Sequence, residues 1–275
     1  MLPHWTQDDL LVNGVRLHYY RTGQGDKRPL VLVHGFSDNG LCWAPVAHEL
    51  EAEYDVIMPD MRGHGLSERM RPGDKVDMAA DLAGLIQALG LSHLVFCGHS
   101  MGAMVTYQIG VRFPELASAL VVEDPPWWLS RPTPPPGEPA ENPFSKWVKS
   151  LADQMLDDLL VSYRKDHPTW PEELLRPMCE SKKQLDPTIV DTLSQRMHSQ
   201  EVDWRTTIQT ITQPALLFTG NPELGAIVTP EVVAKVRELN PNITIVNVPA
   251  AGHLIRFDQY NAFMDALRAF LKQLP

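Results

Sequence analysis

Phe96-Cys97-Gly98-His99-Ser100-Met101-Gly102-Ala103 sets one serine between two glycines. The apolar run Leu94–Cys97 reads as a strand. Met101–Phe113 reads as a helix that stops before Pro114. Ser100 therefore falls in a tight strand-to-helix turn. Such a turn drives the serine into unfavourable backbone angles and crowds the residues two positions away, which glycines at 98 and 102 relieve. The hydroxyl then stands at the carboxyl end of a sheet, where open α/β sheets place their ligands. It also stands at a helix N-terminus, whose N–H groups favour a developing anion. A serine so placed reads as a nucleophile rather than as part of a glycine-rich turn.

The same alternation runs outward along the chain. Val15–Tyr20, Pro29–Val33, Asp55–Met58, Ala119–Val122, Ala215–Phe218 and Ile243–Val248 read as further strands, most of them continuous apolar runs of the kind covered on both faces. Helical spacing appears over Val76–Leu89, with Asp74 as the expected N-cap and Gly90 as the stop, and over Ala262–Leu274. Strands alternating with helices predict an α/β fold, a mostly parallel central sheet with helices on both faces. One stretch breaks the rhythm. Pro125–Pro143 is too rich in proline for regular structure, and helical patterns follow at Phe144–Arg164, Glu172–Gln184 and Thr188–Gln200. The expected organisation is a core in two parts, 1–124 and 206–275, interrupted by a helical cap over 125–205.

Composition narrows the function classes. The 275 residues suit one large domain with an insertion, and a net charge of -10 argues against nucleic acid or an anionic membrane as a partner. Three widely spaced cysteines, Cys42, Cys97 and Cys179, form neither a disulfide framework nor a metal motif, and fit reduced thiols in the cytoplasm. The first residues lack the pattern of a signal peptide, and no apolar run is long enough to span a membrane. No metal or organic cofactor is expected, because no ligand cluster and no GxGxxG after a strand is present.

Four stretches together resemble the α/β-hydrolase family. His34-Gly35-Phe36 follows the strand Pro29–Val33 and resembles the family's oxyanion-hole loop. Pro59-Asp60-Met61-Arg62-Gly63-His64-Gly65-Leu66-Ser67 resembles the structural loop after the next strand. Gly98–Gly102 resembles the nucleophile elbow, and Ala251-Gly252-His253 the histidine loop. The resemblance implies Ser100 as nucleophile and His253 as general base, with the backbone N–H groups of Phe36 and Met101 as oxyanion donors. His99 adjoins the serine but should point away, and His34 and His64 read as braces of their glycine turns. The acid has two candidates. The family's usual position, three residues after a glycine past the strand Ala215–Phe218, holds Glu223, in a loop that is longer than usual. Asp124, at the end of the strand Ala119–Val122, is the rival, and alternation turns its neighbour Glu123 to the other face. Spacing favours Glu223.

A serine rather than an aspartate at residue 100 separates this chain from the haloalkane dehalogenases and epoxide hydrolases of the same fold. The expected chemistry is hydrolysis of carboxylic esters or lactones of a small molecule through an acyl-serine. Trp127 and Trp128, leaving the strand beside the site, are candidate walls for apolar or aromatic groups. The alternatives are a carbon–carbon bond hydrolase for a diketone-like substrate and a receptor-like fold that binds a ligand with little turnover.

Overall fold

The computed structural model describes residues 2, 4–71, 73–129, 143–189 and 203–275. Eight strands form one sheet in the order β1-β2-β4-β3-β5-β6-β7-β8. They are β1 (Thr6–Val12), β2 (Val15–Arg21), β3 (Arg28–Val33), β4 (Tyr54–Pro59), β5 (Leu94–His99), β6 (Ala117–Glu123), β7 (Ala215–Thr219) and β8 (Ile243–Asn247). The β1–β2 and β2–β4 pairs are antiparallel and all the others are parallel. β1 is absent from the sequence reading for a physical reason. It is an edge strand, TQDDLLV, exposed along most of its length, so no apolar pattern marks it.

The helices are α1 (Ala44–Leu50), α2 (Met78–Ala88), α3 (Met101–Arg112), α4 (Pro143–Asp153), α5 (Leu156–Asp166), α6 (Glu172–Gln184), α7 (Trp204–Gln209), α8 (Pro230–Leu239), α9 (Ile255–Asp258) and α10 (Tyr260–Leu271). The cap of α2 corrects the sequence reading: Asp77, not Asp74, accepts the Ala80 N–H. The single pattern at Phe144–Arg164 is two helices, α4 and α5. The helix expected over Thr188–Gln200 falls, from residue 190 on, outside the described residues, as does most of the proline-rich stretch.

Both faces of the sheet are covered. One face buries α2, α3, α7 and α8 through residues such as Leu82, Val105, Ile208 and Val236. The other buries α1 and α10 through Val46, Leu50, Phe263 and Leu267. The segment between β6 and β7 carries α4–α6, which share a third apolar cluster with Cys42 and Phe257. On α6, Leu174, Leu175, Met178 and Cys179 recur at i, i+1, i+4 and i+5, so one stripe of the helix is buried. No helix among the described residues is long and apolar enough to cross a membrane.

The strand order places the site. β4 lies on one side of β3 and β5 on the other, so the chain reverses direction across the sheet between β3 and β5. A crevice opens at the carboxyl ends of strands at such a point. The loops leaving β3 and β5 carry His34–Asp38 and Ser100 respectively.

Candidate active site

Ser100 has φ 52° and ψ −114°, a left-handed conformation that a residue with a Cβ adopts only under constraint. The constraint is visible on both sides. A Cβ at Gly98 would run into the Gly102 carbonyl and Thr106 Oγ1, and one at Gly102 into the carbonyls of Val33 and His34. Only glycine lets β3, β5 and α3 approach this closely. The Ser100 N–H bonds the Glu123 carbonyl at 2.9 Å, and its own carbonyl accepts the Met104 N–H at 3.1 Å as the first bond of α3. The side chain is thus held at the mouth of the turn, half-buried, next to the N–H groups of the first turn of α3.

The register of β5 and β6 brings Asp124 to the serine's end of the sheet. His99 pairs with Glu123, so Ser100 and Asp124 each stand one residue beyond a matched pair on adjacent parallel strands. Asp124 is 0% exposed and has φ 41°. One carboxylate oxygen accepts the Val228 N–H at 2.9 Å. The other accepts the Ile227 N–H at 2.8 Å and the Nδ1–H of His253 at 2.5 Å. Three donors satisfy a buried carboxylate that would otherwise be costly to keep charged. The bond to Asp124 fixes the His253 tautomer with its proton on Nδ1, which leaves the lone pair on Nε2.

Glu223 is elsewhere. It lies in a short 3-10 turn, Pro222–Leu224, exposed, and its carboxylate makes no hydrogen bond with the described residues; its backbone N–H is what bonds, to Asn221 Oδ1 at 2.9 Å. The preference for Glu223 as the partner of His253 is corrected here. The Gly220–Val228 loop does reach Asp124, but through the Ile227 and Val228 N–H groups rather than through a carboxylate of its own. Glu123, as alternation requires, points to the opposite face, where it binds Arg256 at 2.7 Å.

The other histidines behave as braces. His99 is buried, donates its Nε2–H to the His253 carbonyl at 3.0 Å, and packs its ring 4.6 Å from that of His253. Burial, then the charges of Arg256 and His253, hold it well below the ordinary imidazole range, so it stays neutral. His34 accepts the Met61 N–H at 2.9 Å and ties the loop after β3 to the loop after β4. His64 donates to the Arg62 carbonyl at 3.1 Å, and burial keeps both His34 and His64 depressed. Asp60 completes the brace by accepting the Gly40 and Leu66 N–H groups at 2.7 and 2.8 Å.

Of the tryptophans, Trp127 is 1% exposed, stacked on Trp204 at 5.3 Å and tilted on Tyr107 at 5.6 Å, which makes it a core anchor rather than a pocket wall. Trp128 is half-buried and offers its carbonyl to Trp204 Nε1 at 3.0 Å. Sequence reasoning missed Trp147 on α4. Its ring lies 6.4 Å from Phe36, which in turn packs edge-on to His64 at 5.5 Å. Also missed was a buried group of charges beneath the loop after β3: Lys182, Asp38, Arg256 and Glu123. Its signal was readable, because Lys182 continues the buried stripe Leu174–Cys179 by helical spacing. Among the described residues no group of three or more His, Cys, Asp or Glu side chains converges as a metal site would.

Comparison with known proteins places the fold. N-formylmaleamate deformylase of Pseudomonas putida KT2440 is 32% identical over 266 residues, 94% of each chain. The 2-(acetamidomethylene)succinate hydrolase of Mesorhizobium japonicum is 26% identical over 276 residues, 98% of this chain and 96% of that one. A crystal structure of the N-formylmaleamic acid deformylase of Pseudomonas putida S16 superposes with a TM-score of 0.77 at 26% identity, over 96% of this chain and all of that one. The sequence profile of the alpha/beta hydrolase family matches residues 30–266, from the start of β3 through the histidine loop into α10. With the serine turn, the strand order and the histidine loop in the places that profile spans, the chain belongs to the alpha/beta hydrolase family.

Proposed function

We propose that this hydrolase cleaves an acyl bond of a small molecule through an acyl-serine formed on Ser100. The observation that carries the reading is the fixed pair His253–Asp124 on the strand ends beside a strained, glycine-flanked Ser100. A serine hydroxyl is a poor nucleophile unless a base removes its proton. In this reading His253 Nε2 takes that proton as Ser100 attacks the acyl carbon, and Asp124 stabilises the imidazolium through Nδ1. The backbone N–H groups of Phe36 and Met101 hold the oxyanion. The imidazolium then protonates the leaving group, and a water activated by His253 releases the acid.

The bond cleaved is an amide or an ester. The sequence reading favours carboxylic esters and lactones. The two curated relatives act, by their names, on N-acyl compounds with carboxylate-bearing chains, which brings an acyl–nitrogen bond to the front for this chain. The same machinery serves both, since only the leaving atom differs. Phe36 and Trp147 support an apolar or aromatic wall beside the reacting carbonyl. Cytoplasmic residence accords with Cys42, Cys97 and Cys179 being buried free thiols.

The test is hydrolysis of a panel by wild type and Ser100→Ala: N-formyl and N-acetyl enamides with one or two carboxylates, nitrophenyl esters of short to medium acyl length, and several lactones. Turnover by wild type and its loss in Ser100→Ala is the expected result. Equal rates for the two proteins on every substrate overturn the acyl-serine reading.

A further inference from the structure

The loop after β3 is gripped by α6 at three consecutive residues. Gly35 to Asp38 form a tight turn closed by the Asp38 N–H on the Gly35 carbonyl at 3.2 Å, with Phe36 inside it and Ser37 in the left-handed region at φ 66°. Serine pays for that conformation unless neighbours hold it. The holders come from α6. The Ser37 carbonyl accepts from Ser181 Oγ at 3.2 Å and from the Lys182 ammonium at 3.3 Å. Asp38 Oδ1 takes a short bond from the same ammonium, 2.6 Å, with both side chains 4% exposed. Asn39 Nδ2 donates to Gln184 Oε1 at 2.8 Å.

The grip is electrostatically complete. Asp38 Oδ2 faces the Arg256 guanidinium at 3.7 Å, and Arg256 binds Glu123 at 2.7 Å, so two cations meet two carboxylates in a buried set. Burial alone would push the Lys182 ammonium down, yet Asp38 carries it above the ordinary lysine range, so it remains a charged donor.

We infer that Lys182 is a positioning residue for the oxyanion turn: by holding the Ser37 carbonyl and Asp38 from α6, it fixes the plane of the turn that presents the Phe36 N–H to the reacting carbonyl. The inserted helices thereby set transition-state stabilisation as well as shaping the pocket. The inference rests on the acyl-serine reading of Ser100. Lys182 touches neither substrate nor the reacting serine in this role, and acts through Ser37 and Asp38 alone.

The experiment compares wild type, Lys182→Met, Lys182→Met/Asp38→Asn and Ser100→Ala. Two assays are run: kcat and KM on the best panel substrate, and the rate at which a fluorophosphonate probe labels Ser100, which needs no known substrate. Melting temperature is followed in parallel. Lys182→Met should lower kcat about 10–100-fold with KM within about threefold, since a misplacement near 1 Å costs that much, and should slow labelling by a similar factor. Leaving the buried Asp38 with only the more distant Arg256 guanidinium in the single variant can cost the fold itself. The double variant removes both charges of the pair, so it restores the melting temperature while the Ser37 carbonyl keeps only its Ser181 Oγ bond, and its kcat and labelling rate should stay low. Recovery of activity together with the melting temperature in the double variant overturns the inference, as does a rise in KM with kcat unchanged. Labelling or turnover that survives in Ser100→Ala instead overturns the serine reading on which it rests.

Discussion

Two loops at the carboxyl ends of neighbouring strands each carry a carboxylate that the sequence puts forward as a partner for His253, and they differ in everything but charge. Asp124 follows β6 and is enclosed, with two backbone N–H groups and the imidazole directed at its oxygens. Glu223 follows β7 in an exposed 3-10 turn. Strand register and aimed N–H donors decide which one serves, because a buried carboxylate keeps its charge only where donors are already in place. Distance along the chain from a glycine carries none of that information. The loop after β7 supplies two of the donors, so the two regions form one device in which one gives the carboxylate and the other its hydrogen bonds.

Asp124→Asn attacks the contrast at its strongest point. An asparagine can keep the contacts but presents the wrong hydrogen-bond pattern to Nδ1, so the imidazole turns to the tautomer whose Nε2 carries the proton. The expected loss in kcat is on the order of 10³–10⁴, with KM little changed. Steady-state rates on the best panel substrate check it. A loss under about tenfold would mean another group orients His253.

A similar contrast separates two histidines whose rings pack together. His253 is 31% exposed on its side chain and bound to a carboxylate, whereas His99 is buried and bound to a carbonyl. His34, His64 and His99 are all held below the ordinary range, mainly by burial. Their folded state stays neutral while the unfolded chain takes up protons near pH 6.5. The unfolded state therefore binds more protons, and stability must rise with pH. The contribution is whole above about pH 6.5 and is lost as pH falls towards the folded values. Each histidine gives a slope of at most about 1.4 kcal/mol per pH unit, so the three together give at most about 4. Asp60 and Glu123, pushed up mainly by burial, act in the opposite direction above the ordinary carboxylate range. Urea unfolding at pH 7.5 and 5.5 measures it. A flat result would mean that the buried rings protonate in place or that Asp60 and Glu123 offset them.

The sequence revealed most where one residue type is obligatory. Gly98 and Gly102 are required by steric contact with carbonyl groups, so the serine turn was readable from five letters. β3, β5, β6 and β7 were readable because short continuous apolar runs mark strands covered on both faces. The edge strand β1 was hidden by its exposure. The acid was ambiguous because its selection depends on the pairing of β5 with β6 and on N–H groups more than 100 residues away along the chain. Trp127 was misplaced as a pocket candidate because a tryptophan at a strand end has the same letters whether it faces a cavity or stacks on Trp204. Lys182 has the helical phase of the buried face, but a lysine in a charged stretch, Glu180–Lys183, is ordinarily solvated, so its letters do not mark it.

Glu223→Gln carries the smallest expected effect and sharpens the contrast most cleanly. The side chain is exposed and the turn around it is held by backbone bonds, Leu224 N–H to the Asn221 carbonyl at 2.9 Å and Gly225 N–H to the Pro222 carbonyl at 3.0 Å. Removing its charge leaves those bonds, and the Ile227 and Val228 donors to Asp124, in place. The expected kcat lies within about twofold of wild type and the stability within about 0.5 kcal/mol, as for surface changes away from special features. The informative measurement is the double variant Glu223→Gln/Asp124→Asn. If Glu223 swings in to replace a missing Asp124, the double variant falls well below Asp124→Asn alone. If Glu223 is only a surface carboxylate, the two are equal, because what the loop after β7 contributes to the site is its main chain.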